Sequence, residues 1–191
     1  MKKVFLILVA VIGLSNFVFA QQKELLSNGC YRETSSTGTQ RVYDANGQRI
    51  GSISGNRVEL LWNGCYQETS STGTQRVYSA NGERIGSISG ERVELLSNGC
   101  YLETSSTGTQ RVYFANGERI GSISGVRIEL LPNGTYRETS STGTQRIYYS
   151  NGERIGSISG VRIELLSNGT YRETSSTGTQ RIYSASGERI L

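Results

Sequence analysis

Residues 59–88 read ELLWNGCYQETSSTGTQRVYSANGERIGSI, and this stretch decides the fold. Val58-Glu59-Leu60-Leu61 is a short strand, and Trp62-Asn63-Gly64 is a turn because Asn-Gly tolerates positive φ. Cys65 to Thr69 returns as a second strand, and Ser70-Ser71-Thr72-Gly73-Thr74 is a polar loop. Gln75 to Ser79 is a third strand, Ala80-Asn81-Gly82 a second tight turn, and Glu83 to Ile88 a fourth strand. Short strands separated by closely spaced turn signals define an all-β chain. No window holds a helical apolar period over about ten residues. A repeat of this length built from paired helices needs helix formers, whereas Gly, Ser, Thr, Val, Ile and Tyr fill this one.

Outward from that stretch the same phrase recurs. Gly64-Cys65-Tyr66 is preceded by Gly29-Cys30-Tyr31 and followed by Gly99-Cys100-Tyr101, Gly134-Thr135-Tyr136 and Gly169-Thr170-Tyr171, a period of 35 residues written five times. Residues 129–155 and 164–190 agree at 23 of 27 positions, so one supersecondary unit has been copied and neighbouring copies complete its core. The units run 24–58, 59–93, 94–128, 129–163 and 164–191 within one domain spanning 21–191. The apolar set of the second unit is Leu60, Leu61, Tyr66, Val77, Tyr78, Ile85, Ile88 and Val93, which predicts a core shared between neighbours. Three positions vary between copies: Arg32/Gln67/Leu102/Arg137/Arg172, Asp44/Ser79/Phe114/Tyr149/Ser184 and Asn56/Glu91/Val126/Val161. Such tolerance predicts solvent-facing or rim sites.

A Gly-Ser-Ile-Ser-Gly connector begins at Gly51, Gly86, Gly121 and Gly156, and neither end of the repeat region carries an obvious polar cap. These features predict closure of the five units into a symmetric, propeller-like ring or barrel without free sheet edges. An open β-solenoid or hairpin ribbon is the alternative architecture.

Lys2 and Lys3, the apolar run Val4 to Ile12 and the small-x-Ala sequence Val18-Phe19-Ala20 read as a secretory signal peptide cleaved after Ala20. A secreted or periplasmic location follows, with no membrane span after cleavage. Without Lys2 and Lys3 the 20 basic residues fall to 18 against 16 acidic, a net of +2 that singles out no partner and argues against nucleic acid.

Cys30, Cys65 and Cys100 share one repeat position that Thr135 and Thr170 fill in the last two units. Their odd number leaves a thiol unpaired in a monomer, so the readings are interchangeable strand residues, one disulfide, or free thiols. No metal site is expected, since three evenly spaced thiols with no His in the chain lack zinc-ligand spacing. No cofactor and no catalytic residue is expected either: there is no His to serve as base, and the carboxylates recur in every unit.

The Ser-Ser-Thr-Gly-Thr loops place Thr37, Thr72, Thr107, Thr142 and Thr177 where hydroxyls and backbone N–H groups meet a glycan or an anion. Tyr31, Tyr66, Tyr101, Tyr136 and Tyr171 lie close by for stacking on sugar faces, and Arg41, Arg76, Arg111, Arg146 and Arg181 supply a row of cations. The bland reading of the same residues is a hydrophilic turn satisfied locally and cross-strand ion pairs. Asn133-Gly134-Thr135 and Asn168-Gly169-Thr170 match the N-glycosylation pattern, though the turn already accounts for Asn-Gly.

Tyr43-Asp44-Ala45-Asn46-Gly47-Gln48-Arg49-Ile50-Gly51-Ser52-Ile53 resembles the repeat of secreted bacterial beta-flower proteins, in which an Asn-Gly turn precedes an Ile-Gly-x-Ile strand, a Gly and a Val. Ile85-Gly86-Ser87-Ile88, Gly90 and Val93 fit that pattern, as do the runs at Ile120 and Ile155. The similarity covers roughly half of each unit; Leu61 to Gln75 has no counterpart in it. It implies a shallow symmetric β-barrel with projecting hairpins and no established activity. The phrase from Tyr43 to Gly47 is also similar, more weakly, to the YD repeats of large bacterial surface proteins. The chain is thus expected to be an exported non-enzymatic scaffold, structural or adhesive. The alternative is a multivalent module with one weak site per repeat for an extracellular glycan, an anionic polymer or a cell-surface protein.

Overall fold

Glycines set the strand length. Gly29, Gly38 and Gly47 fall nine residues apart, and each later unit repeats the spacing. Each of the three closes the same turn: Gly29 N donates to Leu26 O at 3.0 Å, Gly38 N to Ser35 O at 2.9 Å and Gly47 N to Asp44 O at 3.0 Å. Only glycines take positive φ among the described residues, with Gly29 at 82° and Gly38 at 82°. These are three-residue hairpins with a left-handed glycine, so the polar Ser-Ser-Thr-Gly-Thr loop and the Asn-Gly turns are one structure. Four residues remain between turns, which is one short strand.

The computed structural model describes residues 22–190, so the expected leader lies outside the described residues. It is an all-β molecule of five consecutive antiparallel sheets. The first holds β1 (Gln22–Leu25), β2 (Tyr31–Thr34), β3 (Gln40–Tyr43) and β4 (Arg49–Gly55). The second holds β5 (Arg57–Leu60), β6 (Tyr66–Thr69), β7 (Gln75–Tyr78) and β8 (Arg84–Gly90). The third holds β9 (Arg92–Leu95), β10 (Tyr101–Thr104), β11 (Gln110–Tyr113) and β12 (Arg119–Gly125). The fourth holds β13 (Arg127–Leu130), β14 (Tyr136–Thr139), β15 (Gln145–Tyr148) and β16 (Arg154–Gly160). The fifth holds β17 (Arg162–Leu165), β18 (Tyr171–Thr174) and β19 (Gln180–Tyr183), with a bridge from Tyr183 to Arg189. Every sheet is a simple meander. The chain steps between sheets at Asn56, Glu91, Val126 and Val161, a few residues before the unit limits expected from sequence. Asn56 N donates to Thr69 O at 2.8 Å, so the step residue already belongs to the next sheet.

Period-two alternation gives each sheet two faces. In the second sheet Leu60, Tyr66 and Tyr78 stand opposite one another, beside Val58, Glu68 and Arg76. This face looks back and packs with Val42 and Ile53 of the first sheet. Val77 and Ile88 look forward and pack with Val93, Tyr101 and Tyr113 of the third. The same cluster forms between the third and fourth sheets and between the fourth and fifth. Tyr66, Tyr101 and Tyr136 are fully buried, and each such side chain contributes roughly 1.5–3 kcal/mol by leaving water. The predicted core is therefore the core found, shared between neighbours.

Ring closure is not shown by the described residues. Among the described residues all four clusters join consecutive sheets. Tyr31, Glu33 and Tyr43 of the first sheet are half-buried where Tyr66, Glu68 and Tyr78 are buried. At the other end Ile190 is 55% exposed where Ile120 and Ile155 are fully buried. Among the described residues the sheets form an open array. It also has a cap that the sequence reading overlooked: Lys23 stands in the repeat position of Val58, Val93, Ile128 and Ile163. Its ammonium lies 4.3 Å from the centroid of the Tyr31 ring, a cation–π contact on the uncovered face.

Glycine permits the close approach of neighbouring sheets. Gly86, at φ 51°, lies where β8 breaks register with β7, and a Cβ there would lie 2.5 Å from the carbonyl oxygen of Gly117 in the next sheet. No other residue fits without moving backbone.

Candidate binding surface

The tyrosines expected to stack on sugars instead lock the sheets together. Asn28 Nδ2 donates to Tyr66 Oη at 2.7 Å, Asn63 to Tyr101 at 2.8 Å, Asn98 to Tyr136 at 2.7 Å and Asn133 to Tyr171 at 2.8 Å. Each bond reaches from the turn of one sheet to the interior of the next. Their rings are buried and present no face to solvent. Tyr31 alone remains half-exposed, and Lys23 lies over it. Burial pushes the Tyr66 hydroxyl up to about 12, with the Cys30 thiol beside it adding to the shift. Burial likewise raises Tyr101 and Tyr136, beside Cys65 and Cys100.

That contact explains the Cys/Thr exchange. Cys30, Cys65 and Cys100 are free thiols, each at the hydroxyl of the next sheet's tyrosine. Thr135 Oγ1 occupies the same place, 3.1 Å from Tyr171 Oη and donating to Asn133 Oδ1 at 2.7 Å. Cys and Thr thus fill one interface position, and no disulfide joins the three thiols within the chain. The side chain of Asn133 in the glycosylation pattern is engaged on both its atoms.

The arginine row is an ion-pair row. Arg111 Nη1 donates to the buried Glu103 at 3.4 Å, Arg146 to Glu138 at 3.2 Å and Arg181 to Glu173 at 3.1 Å, with Arg76 3.5 Å from Glu68. Tyr113 Oη donates to Glu103 Oε2 at 3.2 Å and Tyr148 to Glu138 at 3.3 Å. Tyr113 and Tyr148 are raised first by burial and then by these carboxylates. Arg41 stands opposite Glu33 on the first sheet.

The five threonines do reach the surface. Thr37, Thr72, Thr107, Thr142 and Thr177 are exposed at the loop tips. Each sits in a short hydroxyl chain, Ser35 Oγ to Thr37 Oγ1 at 2.9 Å and Thr37 to Thr39 at 3.4 Å in the first copy. The local satisfaction expected of such a loop is present, yet the tips present equivalent hydroxyls along the array. Only here do the predicted ligand-binding residues form an accessible periodic set.

Two features escaped the sequence reading. The variable position expected at the rim is a staple between sheets: Arg32 Nη1 donates to Val58 O at 2.5 Å, Gln67 Nε2 to Val93 O at 3.0 Å and Arg137 Nη1 to Ile163 O at 2.6 Å. Gln67 and Leu102 are buried there. A backbone carbonyl of the next sheet accepts from Arg or Gln at this position, a shared task that variability concealed, while Leu102 in the third sheet has no donor for it. The second feature is a groove of about 620 Å³ between the third and fourth sheets. Arg92, Glu94, Leu102, Gln110, Arg127 and Glu129 line it. Partial burial pushes Glu129 up, but Arg137 and Arg127 outweigh it and hold the carboxyl below its ordinary range. Smaller clefts of about 290 and 350 Å³ flank Pro132 at the turn rim. Trp62, in the equivalent turn of the second sheet, is 68% exposed.

No family model matches the chain, and no curated protein matches it. Solved structures with some likeness include the computationally designed Ika8 protein, at 14% identity and TM-score 0.39, covering 87% of this chain and 59% of that one. The WD40 beta propeller domain of Doa1 gives 18% identity and TM-score 0.31, covering 82% and 61%. BamB from Moraxella catarrhalis gives 13% identity and TM-score 0.34, covering 86% and 61%. The chain spans about three fifths of the length of these structures. Likeness at this level assigns neither family nor function.

Proposed function

We propose that the chain is an exported, non-enzymatic repeat protein that acts as a structural or adhesive scaffold in the periplasm or outside the cell. The observation that carries this reading is the investment of its chemistry in the joints between sheets. Tyrosine hydroxyls, interior carboxylates and most of the row of arginines are engaged in holding one sheet to the next or one strand to its neighbour. The sequence has no His, and its surface features recur in each copy instead of converging on one point. The signal peptide read from residues 1–20 and the resemblance to secreted beta-flower repeats support export.

The groove between sheets favours one second reading, a multivalent binder of an extended polymer. Arginine and glutamate alternate along its walls at the repeat spacing. Weak equivalent sites gain avidity on a polymer. A glycan array followed by calorimetry separates the two: a blank array supports the scaffold, and saturable binding of several equivalent ligands per chain replaces it with the binding module. N-terminal sequencing of protein recovered from the culture medium and periplasm tests export, with Gln21 expected first.

A further inference from the structure

The two ends of the array carry the two halves of its internal joint. Between the fourth and fifth sheets the forward half consists of Asn133, Thr135, Gln145 and an apolar patch of Ile147, Ile155 and Ile158. The backward half consists of Ile163, Tyr171 and Tyr183. Gln145 Oε1 accepts Ile163 N at 2.7 Å, and the same bond recurs at Val58, Val93 and Ile128. The fifth sheet repeats most of the forward half in Asn168, Thr170, Gln180, Ile182 and Ile190. Thr170 Oγ1 donates to Asn168 Oδ1 at 2.7 Å, the bond that Thr135 makes to Asn133 in the closed joint. Gln180 is exposed, whereas Gln145 in the closed joint is half-buried. The first sheet repeats the backward half in Tyr31, Glu33 and Tyr43, each half-exposed. Two features depart from the pattern: Lys23 replaces the Val or Ile that the joint buries, and the described fifth sheet has no counterpart of Ile158.

We propose that the forward face of the fifth sheet receives the first sheet of a second copy of this chain, joining copies head to tail, and that Lys23 sets how weakly they join. Asn168 and Thr170 hold the hydroxyl of the partner copy's tyrosine, the role Asn133 and Thr135 play within the chain. Gln180 accepts the backbone N–H of the partner copy's lysine. A heterologous contact of this kind makes open chains, or rings where the rotation between copies closes. The lysine ammonium opposes it, because entering an apolar joint strips its water. The inference does not depend on the scaffold reading, since a polymer binder carries the same ends.

Sedimentation velocity over a wide concentration range tests it on the purified protein and two variants. Lys23→Val is expected to lower the concentration of half-association by at least about tenfold relative to the unaltered chain. Adding Ile182→Lys to Lys23→Val is expected to return a monomer. Both changes lie on end faces, and far-ultraviolet circular dichroism establishes that each variant is folded. Association of Lys23→Val indistinguishable from the unaltered chain overturns the proposal. So does a Lys23→Val/Ile182→Lys protein that associates as strongly as Lys23→Val.

Discussion

Tyr31 and Tyr101 occupy the same repeat position on the same kind of strand, yet one is half-exposed and the other fully buried. Their local sequences barely differ: Gly29-Cys30-Tyr31 against Gly99-Cys100-Tyr101. The difference is the neighbour. Tyr101 has the second sheet behind it, with Asn63 donating to its hydroxyl and Cys65 alongside. Tyr31 has no sheet behind it among the described residues, and Lys23 lies over its ring. Stability in this molecule therefore resides in the joints between sheets more than in any one sheet, as expected of a one-dimensional array.

Substitutions at matched positions break the comparison, beginning with the largest effect. Tyr101→Ala removes a buried ring and strands a polar cluster, so chemical denaturation is expected to give a loss of about 3–5 kcal/mol. Tyr31→Ala is expected to cost less than about 1 kcal/mol, the usual scale for a surface change. Equal losses at the two sites would contradict the end-to-interior distinction.

Glycine offers a finer cut. Gly117 and Gly47 share positive φ, at 86° and 81°, so Ala pays a similar backbone penalty at both, about 1 kcal/mol. Only Gly117 also faces a neighbour, with its hypothetical Cβ 2.8 Å from Gly86 Cα, while Gly47 has nothing within 4 Å. Gly117→Ala is expected to destabilise the chain by a further ~1–3 kcal/mol of overpacking relative to Gly47→Ala, read as a clearly lower melting temperature.

Alkaline titration follows from the interior hydroxyls. Tyr66 titrates at about 12 in the folded chain against an ordinary value of 10.0, so the folded state holds its proton more tightly than the unfolded state. The contribution is complete below pH 10 and is lost as pH rises toward 12. Tyr78, Tyr101, Tyr113, Tyr136 and Tyr148 are raised in the same direction, so the losses add. Melting temperature is expected to fall steeply across that window while absorbance reports ionisation together with unfolding. Free ionisation at pH 10 without loss of structure would contradict burial of these hydroxyls.

The smallest effect belongs to Cys100→Thr. Thr135 already performs the same task at the next joint, so the exchange is expected to change stability by less than about 1 kcal/mol. A larger loss would mean that the thiol has a role beyond touching Tyr136.

Much of this was legible in the chain. Turn chemistry and alternation located nearly every strand, because Gly at fixed spacing leaves room for four residues and period two assigns their faces. The apolar core residues followed, since Val, Ile, Leu and Tyr recur at inward positions, whereas the burial of Glu68, Glu103, Glu138 and Glu173 beside them did not. The candidate site was less legible. Tyr66 and its counterparts looked like ligand-stacking residues because a tyrosine beside a polar turn reads the same whether water or another sheet lies beyond it. Arg32 and Gln67 looked like free positions because variability conceals a shared hydrogen-bonding task.

Sequence by itself determined the repeat, the meander within each sheet and the residues each sheet must hide, since these depend on neighbours a few residues away. Only the tertiary structure decided that successive sheets stack back to front in an open array, that Asn and Tyr 38 residues apart close each joint, and that Lys23 covers one end. Those outcomes depend on which surfaces meet. A repeated sequence carries the same two surfaces in every copy and cannot mark which of them finds a partner.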